Sequence, residues 1–263
     1  MTALRRKDAL QMLNKVPEVT LYFWVVKILA TTVGETGADF LSVKLGFGLN
    51  GTSVVMGSLL VAVLLVLLRA RKYIPWLYWV TVVLMSVVGT LITDNLTDKL
   101  GVSLFVSTAA FSAALAATFA AWYASERTLS VHTITTAKRE RFYWAAILFT
   151  FALGTAGGDL MAEKLQLGYG LSALIFASAI AAIAAAFYVL KANAILAFWA
   201  AYVLTRPLGA SIGDLLSQQR ADGGLGLGTM GTSALFLTII TSLVVFMTLR
   251  ANGHASQPRT AGE

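Results

Sequence analysis

The chain has 263 residues, 57% of them hydrophobic and 13% charged, with a mean hydropathy of +0.75 and a net charge of +7. A soluble domain carries roughly twice that share of charge, so the main body is not a water-soluble enzyme or nucleic-acid-binding domain. The chain has no cysteine, which excludes disulfides, thiolate metal sites and iron–sulfur clusters. The two histidines, His132 and His254, lie outside the apolar runs, which excludes a bis-histidine haem within a membrane.

The opening MTALRRKDALQMLN has neither an apolar core nor a small-residue cleavage site and reads as a short interfacial helix, not a signal peptide. Apolar runs of about 20 residues then recur. They predict an all-α polytopic membrane protein with eight transmembrane helices, over 17–43, 52–70, 74–97, 103–123, 142–163, 170–190, 193–217 and 229–249. Loops on one side hold Arg5, Arg6, Lys7, Lys15, Arg69, Arg71, Lys72, Arg127, Lys138, Arg139, Arg141, Lys191, Arg250 and Arg259. The other side holds only Lys44, Lys99, Lys164 and Arg220. This bias predicts a bacterial inner-membrane protein with both termini cytoplasmic. The positive charge is then a topology signal. The expected partners are the bilayer and a small cation, not nucleic acid, and oligomeric state is left open.

Four tryptophans bring out an internal repeat. Trp24, Trp79, Trp144 and Trp199 each close an aromatic pair near a helix start. Ten residues on stand Gly34, Gly89, Gly154 and Gly209, and fifteen residues on stand Asp39, Asp94, Asp159 and Asp214. The copies read GETGAD, GTLITD, GTAGGD and GASIGD. Each repeat holds an even number of spans. The expected architecture is therefore four parallel two-helix hairpins with pseudo-symmetry along the membrane normal. Residues 1–125 form a first half and 142–250 a second, joined by a cytoplasmic linker at 126–141 and followed by a polar tail at 251–263. Each glycine starts a small-xxx-small face on an odd-numbered helix, suited to close helix packing. The tryptophans read as an interfacial aromatic belt.

The repeat aspartates lie roughly 22 Å along the helix from the tryptophans, in the outer part of the membrane. Glu35 and Asp39, Asp94 and Asp98, and Asp159 and Glu163 are i, i+4 pairs that share a helix face, with Gln218 in the matching place after Asp214. Thr31, Thr32, Thr36, Thr93, Asn95 and Thr155 add oxygens nearby. This oxygen-only set, with Asp39, Asp94, Asp159 and Asp214 as metal ligands, suits protons or a hard divalent cation; no other cofactor is implied. Against it stands a structural reading, in which Lys44, Lys99 and Lys164, or the following helix starts, pair with the acids. Two residues break the symmetry. Glu35 has Thr90, Thr155 and Ala210 as counterparts, while Arg206, just before Pro207, matches Thr31, Ser86 and Phe151. Glu35 or a repeat aspartate is the expected partner of Arg206, as a gating site or as a lock between helices one and seven. Lys27 and Glu18 are expected to reach the cytoplasmic interface.

The segment KVPEVTLYFWVVKILATTVGETGADFL, residues 15–41, resembles a bacterial membrane-protein family built from four copies of a short repeat of unknown function. Its members often carry the label "membrane-anchored protein predicted to regulate amylopullulanase". The resemblance spans nearly the whole chain, although copies two to four keep Gly and Asp but not Glu. No residues here resemble a starch enzyme or a DNA-binding regulator. The residues point to a cation transporter working through its carboxylate cluster. The alternatives are a pore ringed by aspartates and a non-transporting sensor or scaffold. Enzymatic chemistry is not expected, since no nucleophile–base set accompanies the acids.

Overall fold

The structure, a computed structural model, describes residues 15–70 and 72–255, the last six by backbone only. The expected interfacial helix at 1–14 and most of the polar tail lie outside the described residues. Eight long helices follow one another: α1 (Leu21–Asp39), α2 (Gly48–Arg69), α3 (Pro75–Asp94), α4 (Leu104–Glu126), α5 (Ala137–Asp159), α6 (Gly168–Tyr188), α7 (Ala194–Ser217) and α8 (Gly228–Ala255). Their starts are those the sequence favours. Thr20, Ser103, Thr136 and Asn193 each accept a backbone N–H of the first turn, and Pro75 occupies a first-turn position where its missing N–H costs nothing.

Seven of the eight helices are long and apolar enough to cross a membrane, as in a multi-pass membrane protein. The exception is α1, which carries Lys27, Glu35 and Asp39 within 19 residues. Burial divides the helices into two layers. The apolar stretches of α3, α5 and α7 are 56–72% buried, those of α2, α4, α6 and α8 only 11–17%. The odd helices close an inner ring in the order α1–α3–α5–α7–α1. The outer helices do not pack chiefly on the helix that precedes them, as hairpins would. Instead α2 packs on α3, α4 on α5, α6 on α7, and α8 returns to α1. At three of the four connections that leave an odd helix the chain passes into a π turn (Phe40–Lys44, Asn95–Lys99, Leu160–Lys164). Gly46 and Gly101 then take positive φ, and Gln166 holds the same left-handed place in the third repeat.

Ring contacts repeat around the circle. The glycine ten residues after each tryptophan receives, from the next inner helix, the residue seven after that helix's tryptophan. Gly34 meets Ser86, Gly89 meets Phe151, Gly154 meets Arg206 and Gly209 meets Thr31, each too close to admit a Cβ. The expected close-packing role of these glycines is therefore seen directly.

The tryptophan end of the bundle is its aromatic core, which corrects the expected interfacial belt. Trp79, Trp144 and Trp199 are buried and Trp24 half-buried, packed with Phe23, Tyr78, Tyr143 and Tyr202. The Tyr78 and Tyr143 hydroxyls hydrogen-bond at 2.5 Å. The linker closes over this end. Val131 and Ile134 are buried, Trp199 Nε1 donates to the Leu129 carbonyl at 2.9 Å, and Lys15 pairs with buried Glu140 at 2.6 Å.

Candidate functional site

Four residues eleven after the tryptophans define one level of the inner ring: Glu35, Thr90, Thr155 and Ala210. Arg206, fully buried, starts one turn below on α7 and reaches into this level. Its Nη2 donates to Glu35 Oε2 at 2.8 Å, to Thr155 Oγ1 at 2.7 Å and to Thr90 Oγ1. Its Nη1 donates to the Thr31 carbonyl at 3.1 Å. The side chain that broke the repeat pattern thus ties together three of the four inner helices besides its own. The expected Glu35–Arg206 pair is made. It sits beside a seam where Thr31 and Thr32 hydroxyls donate to the Thr205 and Gly209 carbonyls of α7.

Lys27 is a correction. It does not reach an interface: it is fully buried, with Nζ 4.2 Å from the Phe151 ring centre and 4.4 Å from that of Tyr202. Nζ has no hydrogen-bond partner among the described residues. Phe151 also lies against the Arg206 guanidinium, so one ring faces both basic side chains. Glu18, by contrast, is exposed.

The four aspartates occupy the next level, one helical turn beyond Glu35. Asp214 is buried; Asp39, Asp94 and Asp159 are half-buried and stand where α helix passes into π turn. Aspartates that neighbour each other around the ring lie within electrostatic reach, all four lie within reach of Glu35, and Asp39, Asp159 and Asp214 lie within reach of Glu163. No side-chain hydrogen bond or ion pair holds any of the four aspartates among the described residues. Lys44, Lys99 and Lys164 are exposed and bridge to no acid; Lys99 turns instead to Asn50 Oδ1 at 2.5 Å. The expected lysine girdle is thus not formed.

The outer members of the i, i+4 pairs are placed differently from their partners. Asp98 and Glu163 are exposed on the π turns, Asp98 accepting from Thr97 at 2.9 Å. Gln218 has left the helix: α7 stops at Ser217 and Gln218 is extended. Nor do the four aspartates gather as ligands of one ion, because among the described residues no three of Asp, Glu and His stand close enough to hold one. Of the residues expected to add oxygens nearby, Thr93 donates its hydroxyl to the Ala152 carbonyl at 3.0 Å and Asn95 donates its amide Nδ2 to Ser53 Oγ at 2.9 Å. The contact of Thr90 with Arg206 and the burial of Lys27 escaped the sequence reading. The repeat alignment held the signal for Thr90, since it shares a level with Glu35.

No curated protein and no solved structure matches the chain. The model of the Repeat of Unknown Function (DUF347) matches four times, at 22–73, 77–128, 142–193 and 197–252, each match beginning two residues before one of the aligned tryptophans. These matches take in most of the chain, which therefore belongs to the Repeat of Unknown Function (DUF347) family.

Proposed function

We propose that the chain is a secondary transporter for a small hard cation, crossing the bacterial inner membrane eight times. The tryptophan end faces the cytoplasm and the pseudo-symmetry axis runs along the membrane normal. The observation that carries this reading is the pairing state of the acids. Among the described residues Asp39, Asp94, Asp159 and Asp214 make no side-chain hydrogen bond or ion pair, while Arg206 and Glu35 pair with each other one turn deeper. Carboxylates at membrane depth are costly unless something answers their charge. A cation arriving with part of its water shell does so at a site too open to strip it. Asp98 and Glu163 form an outer acidic lip that draws cations toward the axis.

A carrier fits better than an open pore. Arg206 places a guanidinium in the middle of the ring, which opposes passive flow of positive charge along it. Passage then requires the halves to move at the α1–α7 and α3–α5 seams and at the α4–α5 and α8–α1 contacts that also join them.

The test is flux into proteoliposomes of the purified protein, with Mg²⁺ and Mn²⁺ as first cargoes and a proton-sensitive dye inside. Asp159→Asn is expected to lower flux at least tenfold while the protein still elutes as a folded species. Equal flux through wild type and Asp159→Asn for every cation offered refutes the reading.

A further inference from the structure

Three oxygens surround a single atom of Arg206. Glu35 Oε2 and Thr155 Oγ1 lie 2.8 and 2.7 Å from Nη2, and Thr90 Oγ1 completes the set. They come from three helices and share one repeat level. The guanidinium fits them incompletely. It engages one oxygen of the carboxylate, not both as a forked pair does, and its Nε is buried without an acceptor.

We infer that Glu35, Thr90 and Thr155 form a site for a partly dehydrated monovalent cation of the sodium class, and that Arg206 is a tethered stand-in for that cation. Oxygen ligands suit a hard cation. One carboxylate and two neutral hydroxyls supply a single negative charge, which suits a monovalent ion better than a divalent one. Ala210, the fourth residue of the level, contributes no ligand. When the ion replaces Nη2, the displaced guanidinium has acids within electrostatic reach in Asp94 and Asp214. Binding of the small ion at the deeper level therefore neutralises part of the aspartate level from within. This rests on the transport reading and gives the transporter its coupling ion.

The test is sodium-specific thermal stabilisation of the full-length protein in detergent, titrating sodium chloride against N-methylglucamine chloride at constant ionic strength. Arg206→Met is expected to lower the half-saturating sodium concentration at least tenfold. Arg206→Lys, which keeps the charge and shortens the reach, is expected to shift it the same way by less, and serves if the methionine variant does not fold. Adding Thr155→Val to either variant is expected to raise it again by at least tenfold. No sodium-specific stabilisation in the arginine variants, or none that Thr155→Val weakens, overturns the inference. Flux does not enter this measurement, so a protein that binds sodium in this way but moves no cation refutes the transport reading alone.

Discussion

Gly154 of α5 lies so close to the stem of Arg206 on α7 that a single methyl group would overlap Cβ and Cγ of the arginine. Gly157, three residues on, has nothing within 4 Å of the same position. Gly154→Ala is therefore expected to cost about 1–3 kcal/mol through overpacking and to pull the guanidinium off the Glu35 level. Gly157→Ala is expected to be neutral or to stabilise by up to about 1 kcal/mol through helix propensity. Thermal unfolding of both variants in detergent checks the contrast, and equal destabilisation would contradict this packing.

Removing one member of the Glu35–Arg206 pair strands a buried charge. Glu35→Gln and Arg206→Met should each destabilise by about 3–5 kcal/mol. The double variant should fall short of their sum, with a coupling energy of about 1–3 kcal/mol. A double-mutant cycle measures it, and additive effects would show that the two residues do not act on each other.

The buried Tyr78–Tyr143 hydrogen bond offers a test of an asymmetry. Tyr78→Phe alone leaves the Tyr143 hydroxyl without its partner in the aromatic core and is expected to cost about 1–3 kcal/mol. Replacing both tyrosines by phenylalanine should recover most of that loss. If the double variant is the less stable, the hydroxyls answer to some group other than each other.

Lys27 has rings around its amine but no acceptor among the described residues. Two cation–π contacts are worth about 2 kcal/mol or less each, against a desolvation cost of several kcal/mol for a buried charge. Lys27→Met, which keeps the stem and drops the amine, is expected to raise the melting temperature. A large fall would mean that the amine has a partner in the membrane.

Because the natural chain has no cysteine, orientation can be read with single introduced thiols. With cytoplasmic termini, Lys99→Cys in a π turn should react with a membrane-impermeant maleimide on intact spheroplasts. Lys138→Cys at the start of α5 should react only after lysis. The reverse pattern would invert the proposed orientation.

Much of the bundle was legible because its two periodicities coincide: 3.6-residue helices and a repeat marked by Trp, Gly and Asp. The Glu35–Arg206 pair was legible for the opposite reason, since each residue departs from its three counterparts. What was hidden depends on neighbours in space. Lys27 lies near a helix start in the sequence, and only the ring opposite supplies Phe151 and Tyr202. The tryptophans looked interfacial because a belt and an aromatic core share the same residue types. The π turns change a hydrogen-bonding step without changing composition, so Asp98 and Glu163 passed for plain i+4 neighbours. The longer connection after α7 takes Gln218 away from the helix face that its i+4 spacing from Asp214 suggested.

The passing of each outer helix to the next inner one, with α8 returning to α1, has a consequence for how such a chain could arise. No repeat completes its own packing, yet four identical copies of a two-helix unit would satisfy every seat in the circle as separate subunits. In such a homotetramer any substitution appears four times, so an arginine at the level of Arg206 would bring four guanidiniums to the axis. Joining the copies into one chain lifts that constraint. It permits a single arginine to face a single glutamate, an asymmetric charge on an otherwise repeated frame.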